Sequence, residues 1–398
     1  MNQLFNYLGN ELRVSSTKPL FRGGLEMIAH RGTFFLGMPE NSIPAFRVAR
    51  ELGYKYIECD VLATSDSKYV IMHDASINRT CKTASYNTIS GTVNVASQTF
   101  DNLRNNYVLA SDDPKYRQPI PSLQEYLITC RGSDSIAMIE LKSSSFTNAQ
   151  LDEIYSICIN YLGKGKFCFN SANYDKLDYM RTIDADIELF YETNPIINTT
   201  NTINNTSRND PHNIWYPPFS GTYGTISTSV IKSYHDLGMK VFLWTVPADK
   251  VEEYINMGVD GIATNTVPSQ VIGGASSLER FDSTNTNSAD TNGTIANGKC
   301  TLSNGQYFKL PNNNSGTGIK CIRIYALGNY TITTNTKTYP TASMSPINNF
   351  TKTYNDTTLT FHELYMFYNN ASEPLLTITA GGNTEIYSVD YYDIPINI

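Results

Sequence analysis

Between Glu26 and Val271 short apolar runs alternate with amphipathic stretches, and this pattern restricts the fold more tightly than any other feature of the chain. The runs are EMIAH, KYIECDV, YVIMHD, SIAMIEL, KFCFN, IELFY, KVFLWTV and DGIAT. Between several of them lie helix-like segments: SLQEYLITC, AQLDEIYSICINYL, SVIKSYHDLG and DKVEEYINMG. Strand and helix alternating eight or so times over about 250 residues predict an α/β fold, a (β/α)8 TIM-type barrel, with an open doubly wound sheet as the alternative. Two connections are too long for simple crossovers, one from Ser76 to Leu123 and one from Asn194 to Gly224. Long connections in a compact domain are usually functional loops.

Beyond Gly274 the texture changes. FDSTNTNSADTNGTIANG is too polar to bury a core, so residues 275–298 read as a Ser/Thr/Asn-rich linker. From Lys299 to Ile398, β-branched and aromatic residues alternate with polar ones between Gly, Asn and Pro turns, which predicts a small all-β, sandwich-like domain for binding or oligomerisation. The expected division is an N-terminal segment over 1–24, a barrel over 25–274, the linker, and a β domain over 299–398. For 398 residues, two domains fit the usual size limits. The first 25 residues carry no secretory pattern, and no apolar run approaches the roughly 20 residues of a membrane span. A net charge of −7 leaves no basic footprint for nucleic acid. The seven cysteines form no CxxC pair, which argues against a zinc knuckle or a disulfide framework.

The polar residues at the ends of the apolar runs carry the chemistry, because barrel active sites form at the carboxyl ends of the strands. His30 and Arg31 follow the first run. Glu58 and Asp60, two apart, share one face of the second, and Glu140 and Lys142 repeat that spacing. The link from Asp60 to YVIMHD is too short for a crossover helix, so these runs should form an antiparallel hairpin. A turn centred on Asp66 and Ser67 would set His73 opposite Asp60. Three converging carboxylates repel one another unless a cation sits among them or Lys142 and Arg31 neutralise them in a salt-bridge network. Oxygen-only ligands favour Ca²⁺ or Mg²⁺ over zinc. Arg31 offers a planar fork for phosphate and Lys142 a point charge, while His30 and His73 can act as general base and general acid. Base, acid, metal and anion clamp together describe phosphodiester cleavage.

The ordered motifs AHRG, PENS, ECD, HD with NRT, IPSLQEYL, IELK, FLWTV and GVDGIATN resemble the glycerophosphodiester phosphodiesterase family over roughly Leu25 to Val271. The resemblance implies a barrel of the phosphatidylinositol-phospholipase-C-like type, one divalent cation (Ca²⁺ or Mg²⁺), and hydrolysis of a glycerol phosphodiester to glycerol 3-phosphate and an alcohol. It assigns catalysis to His30 and His73, the metal to Glu58, Asp60 and Glu140, and phosphate contact to Arg31 and Lys142. Trp244 resembles the family's pocket tryptophan and either packs on a glycerol or belongs to the core. Glu40 either orients a catalytic group from behind the metal ligands or caps the helix that begins near Ser42. Tyr216 and Phe219 either line a substrate groove or pack the long loop.

The β domain, rich in Tyr and Asn, resembles those appended to phage tail proteins. With the resemblance of the barrel, this points to glycerol-phosphate teichoic acid of Gram-positive walls as the polymer cleaved, and to the virion tail as the location, where the protein would be a homo-oligomer, a trimer. Two other readings stay open: a bacterial phosphodiesterase acting on small deacylated phospholipids, and a non-catalytic receptor that binds teichoic acid.

Overall fold

The computed structural model describes residues 13–14, 25–33, 37–142, 146–192, 213–216, 226–246, 251–265, 276–280, 290–296, 299–310, 318–334, 338–339, 349–368, 376–394 and 396–397. The chain divides into two compact units, residues 18–272 and residues 1–17 with 273–398.

The first unit is a closed barrel of eight parallel strands. In chain order they are β1 (Glu26–Ala29), β2 (Tyr56–Ala63), β4 (Ile136–Leu141), β5 (Phe167–Ser171), β6 (Leu189–Glu192), β7 (Asn213–Tyr216), β8 (Val241–Leu243) and β9 (Gly261–Thr264), with β3 (Tyr69–Ile71) as a ninth strand. Each stave pairs in parallel with its neighbour, and β1 closes the ring by pairing with both β9 and β2. YVIMHD is not a stave: it contributes β3, which lies antiparallel on β2, as the short link from Asp60 predicts. The missing stave is β7, inside the stretch read as a long loop. Its four residues, NIWY, are too short to show a period, and pairing with β6 on one side and β8 on the other defines them as a strand.

Capping motifs mark where the helices begin. Ser122 and Glu125 form a capping box at the helix Leu123–Cys130, and Thr147 and Gln150 form another at Asn148–Leu162. Ser42 caps Ile43–Glu51 through the Ala45 N–H. Leu123, Tyr126, Leu127 and Cys130 repeat at helical spacing and are buried. The Tyr126 hydroxyl donates to the Ile57 carbonyl at 2.5 Å, which ties this helix to β2 one residue before Glu58.

Inside the barrel, Ile28, Tyr56, Met138, Cys168, Phe190, Phe242 and Ala263 form one apolar plug. The rings of Tyr56, Phe190 and Phe242 meet edge to face with centroids 5.0 to 6.0 Å apart. Two residues further along, the strand period returns side chains to the same face. Those positions hold His30, Glu58, Glu140, Asn170, Glu192, Trp244 and Asn265. The polar mouth is therefore one layer above a sealed floor.

The β2–β3 register differs from expectation by one residue. Val61 pairs with Ile71 and Ala63 with Tyr69, so Met72, not His73, stands opposite Asp60, and the Met72 N–H donates to the Asp60 carbonyl at 2.9 Å. The turn is a five-residue loop rather than a two-residue one. Thr64 Oγ1 donates to Asp66 Oδ1 at 2.6 Å and accepts from the Lys68 N–H at 3.0 Å, and an odd loop length moves the pairing by one. His73 follows just past the end of the strand.

The long segment after His73 folds back as a small lobe. It contains a hairpin of Cys81–Thr83 with Tyr107–Leu109 and the helix Phe100–Asn106. Val70, Met72, Ile77, Val95, Leu103 and Ile120 bury one another within it.

The second unit is all β. Three long strands, Gly318–Thr334, Thr351–Tyr368 and Leu376–Ile394, lie side by side. They cover a core that includes Leu302, Phe308, Ile322, Ile324, Ile332, Leu364 and Ile378. Register shifts flank Gly328, whose φ of +115° and 2.2 Å approach of an added Cβ to the Asn383 carbonyl admit only glycine. The stretch read as a linker supplies strands of this sheet, Ser276–Arg280, Asp290–Thr291 and Thr294–Ala296. Polar composition did not prevent them from pairing. At the other end of the chain, Arg13–Val14 pairs with Ile396–Asn397. Cys300 is a free, buried thiol.

Candidate active site

Glu58 and Asp60 lie on the inner face of β2, and Asp60 stands opposite Glu140 on β4. Their carboxylate oxygens come within 4.8 Å of one another. Glu58 and Asp60 have no solvent exposure and Glu140 only 7 %. Such a group is costly unless its charge is answered.

Part of the answer comes from cations and N–H donors. Lys142 Nζ lies 2.6 Å from Glu140 Oε1 and 3.3 Å from Asp60 Oδ1. Arg31 donates its backbone N–H to Glu58 Oε2 at 2.6 Å, and its Nε lies 3.6 Å from Asp60 Oδ2. Asn41 Nδ2 donates to Asp60 Oδ2 at 2.6 Å. These contacts explain the turn in the His-Arg-Gly sequence. Arg31 and Asn41 both take left-handed backbone angles, φ 56° and 54°. Gly32 follows at φ +77°, where an added Cβ would meet the Ala45 backbone at 2.9 Å.

The charges divide the acids. Burial works against ionisation of Asp60, but Lys142, Arg31 and His73 overcome it and hold its carboxyl near 2. Burial pushes Glu58 and Glu140 well above the usual carboxylate range, with Asp60 adding to both and Glu192 to Glu140. Lys142 is disfavoured by burial, yet Asp60, Glu140 and Glu192 keep its pKa above that of an ordinary lysine.

The donor set fits a hard divalent ion. Glu58 Oε1 is buried without a hydrogen bond, and Asp60 Oδ1 has none beyond its ion-pair contact with Lys142. Orphaned oxygens within a cluster of carboxylates are where an oxygen-seeking cation would be held. The salt-bridge network and the cation are thus not exclusive, because Lys142 and Arg31 leave these oxygens over.

His30, at the end of β1, is 6 % exposed. Its Nδ1 lies 2.7 Å from Asn265 Oδ1 and 3.4 Å from Thr245 Oγ1. An amide oxygen can only accept, so Nδ1 carries the proton and Nε2 keeps a free lone pair. Burial first, then Arg31, lowers its pKa to about 4, against the opposing bond to Asn265. The Trp244 ring is 6.1 Å away, centroid to centroid, so the tryptophan sits in the mouth beside His30.

His73 donates from Nδ1 to Asp74 Oδ1 at 2.6 Å. Arg79 then grips Asp74 through Nε at 2.6 Å and Glu40 through both terminal nitrogens at 2.7 and 2.9 Å. Glu40 also accepts from Arg31 Nη1 at 3.1 Å. One guanidinium therefore joins the His73 arm to the Arg31 arm. Glu40 is not the helix cap, since Ser42 is.

All seven mouth residues expected from the motifs, His30, Arg31, Glu58, Asp60, His73, Glu140 and Lys142, converge here, although His73 comes by a different register. Asn41, Asp74, Arg79 and Asn265 stand inside the quoted motifs PENS, HD, NRT and GIATN without having been singled out. Asn170 and Glu192 had no motif, and their signal was position, two residues beyond the apolar plug. Beside Glu140 and Lys142 opens a cavity of about 430 Å³, also lined by Ser171, Asn173 and Tyr174. Tyr216 ends strand β7, and Phe219 lies outside the described residues.

Residues 30–268 match the Glycerophosphoryl diester phosphodiesterase family. The chain is 26 % identical over 244 residues to a glycerophosphodiester phosphodiesterase of Caldanaerobacter subterraneus, covering 60 % of this chain and 93 % of that one. A glycerophosphodiester phosphodiesterase of Bacillus altitudinis is also 26 % identical over 244 residues, 94 % of its length. Among solved structures, a phosphodiesterase from Oleispira antarctica, in complex with the product sn-glycerol-3-phosphate, aligns with a TM-score of 0.51 and 20 % identity. That alignment covers 62 % of this chain and 94 % of the other, and it shows a shared fold.

The depressed pKa of His30 has a measurable sign. Between about 6.5 and about 4 the unfolded histidine takes a proton that the folded one refuses, so its contribution to stability is intact above this window and is lost as pH falls through it. NMR of ring-labelled histidine should show His30 uncharged at pH 6, with its proton taken up only near pH 4. A His30 midpoint above 6 would contradict the buried, neutral state.

Proposed function

The chain belongs to the glycerophosphoryl diester phosphodiesterase family, and from that premise we propose that it hydrolyses glycerol phosphodiesters at the barrel mouth, with one divalent cation, Ca²⁺ or Mg²⁺, held by Glu58, Asp60 and Glu140. The observation that carries this reading is the trio of buried carboxylates with Arg31 and Lys142 beside it and two histidines at the same mouth. When bound, the cation supplies a Lewis acid for the phosphoryl oxygen and makes an adjacent oxygen nucleophile easier to deprotonate.

The residues divide the work. Arg31 and Lys142 bind the phosphoryl oxygens, and Trp244 packs on the glycerol. His30, neutral with Nε2 free, removes the proton from the substrate hydroxyl next to the phosphate. That oxygen bonds to phosphorus while the bond to the alcohol oxygen breaks, and His73 protonates the departing oxygen. Asp74 holds the His73 ring through Nδ1 and faces the imidazolium with a negative charge. Water then opens the cyclic phosphate with the two histidines in reversed roles, which returns both to their starting state.

We further propose that the substrate is the glycerol-phosphate chain of teichoic acid and that the protein acts in a phage tail, as a homotrimer. Two features support the polymer substrate. The family match ends at residue 268, and the chain continues into a second unit with its own core. A poly(glycerol phosphate) chain repeats the scissile bond, so an enzyme anchored by a separate unit meets many equivalent sites.

Incubating the purified protein with poly(glycerol phosphate) and with glycerophosphocholine, with and without chelator, tests the reading. Glycerol 3-phosphate units should be released from the polymer, chelator should stop turnover, and Ca²⁺ or Mg²⁺ should restore it. His30→Ala and His73→Ala should each lose at least about 10²-fold in kcat. Cleavage of glycerophosphocholine alone would remove the polymer proposal, and full activity in excess chelator would remove the cation.

Arg79 bonds to Asp74 and Glu40 and to none of the three acids of the trio, so its variants report on positioning. Arg79→Ala should lower kcat by about tenfold or more with little change in KM, and added guanidinium should recover part of the loss. Unchanged kcat would show that His73 and Arg31 hold their places without it.

A further inference from the structure

We propose that Asn170 supplies a fourth protein oxygen to the cation held by Glu58, Asp60 and Glu140, and that this neutral ligand tilts the site toward Ca²⁺ over Mg²⁺. The proposal rests on the metal reading above and adds a residue that neither the motifs nor the acidic trio includes.

Asn170 is on β5, directly opposite Glu140 on β4. Neighbouring strands run about 4.8 Å apart, so the two side chains leave adjacent points of the same inner layer. The residue has no solvent exposure. Its Nδ2 donates to Glu192 Oε1 at 2.7 Å, while its Oδ1 is buried with no hydrogen-bond partner. Turning the amide over would set its oxygen against the Glu192 carboxylate, so Glu192 fixes the orientation with nitrogen toward β6 and leaves the oxygen for the remainder of the mouth.

Among the described residues, the buried carboxylate and amide oxygens of side chains that lack a hydrogen bond are Glu58 Oε1, Asp60 Oδ1 and Asn170 Oδ1. All three belong to one mouth. In an ordinary core an unpaired amide oxygen costs free energy, and beside a carboxylate it is also repelled. A cation among the three removes both penalties. The chemistry of the fourth ligand also matters. The mouth already holds Glu58, Asp60, Glu140 and Glu192, so a further carboxylate would add repulsion, whereas an amide oxygen adds a ligand without charge. Ca²⁺ takes six to eight oxygens in flexible geometry, and Mg²⁺ keeps its waters in a strict octahedron, so an extra protein oxygen favours the larger ion.

Calorimetric titration of the metal-stripped protein with Ca²⁺ and Mg²⁺, and Tb³⁺ luminescence lifetimes in H₂O and D₂O, test this without an activity assay. Asn170→Ala should weaken Ca²⁺ by about tenfold or more, weaken Mg²⁺ less, and add one water to bound Tb³⁺. Asn170→Leu, which removes the oxygen at nearly the same side-chain size, gives the same readout if the alanine variant does not fold. Asn170→Asp, which puts an oxygen back, should restore the wild-type water count. Unchanged affinity and water count in the alanine or leucine variant would overturn the assignment of Asn170 alone. A wild-type protein that binds neither ion would overturn the metal reading and this inference with it.

Discussion

Repulsion among buried carboxylates is the constraint around which the barrel unit is arranged. Glu58, Asp60 and Glu140 bring their oxygens within 4.8 Å of one another where water cannot screen them. Much of the local backbone makes sense as an answer to that cost. The left-handed turn at Arg31 points a backbone N–H at Glu58, the turn at Asn41 brings an amide to Asp60, and Lys142 leans across two of the acids. These contacts leave Glu58 Oε1 and Asp60 Oδ1 without a hydrogen bond, and that leftover supports the proposed cation site more than the cluster of acids does by itself.

The rigidity of the mouth follows from what lies beneath and beside it. Below, the plug of Tyr56, Phe190, Phe242 and their neighbours keeps each strand in register, so a side chain two residues further on is placed by the sheet rather than by a loop. Beside it, Arg79 links Asp74 and Glu40, and through them the ring of His73 and the guanidinium of Arg31. The His73 ring and the Arg31 guanidinium thereby share one support. Both ends of this link are anchored outside the barrel strands, in the loop after β1 and in the lobe after β3.

The barrel was legible because its staves are apolar runs with acids at fixed spacing. Glu58 with Asp60 and Glu140 with Lys142 share faces by the two-residue period alone. The failures have physical causes. NIWY is too short for a period and is defined as a strand only by neighbours on both sides. His73 was placed one residue out because the turn from Thr64 to Lys68 has an odd length that no composition rule supplies. The polar stretch after Gly274 read as a linker, yet backbone pairing, which every residue but proline offers, drew parts of it into the sheet. Asn170 and Glu192 stayed invisible because an amide and an acid at strand ends mean little until the layer they share is known.

The central claim, that this mouth is built to hold a cation, is tested most directly by anomalous diffraction from crystals soaked in Mn²⁺, an ion that takes the same oxygen ligands as Ca²⁺ and Mg²⁺. The account predicts one strong anomalous peak enclosed by Glu58, Asp60 and Glu140. A mouth without a peak, with Lys142 and Arg31 alone facing the three carboxylates in a protein that still cleaves its substrate, would contradict it.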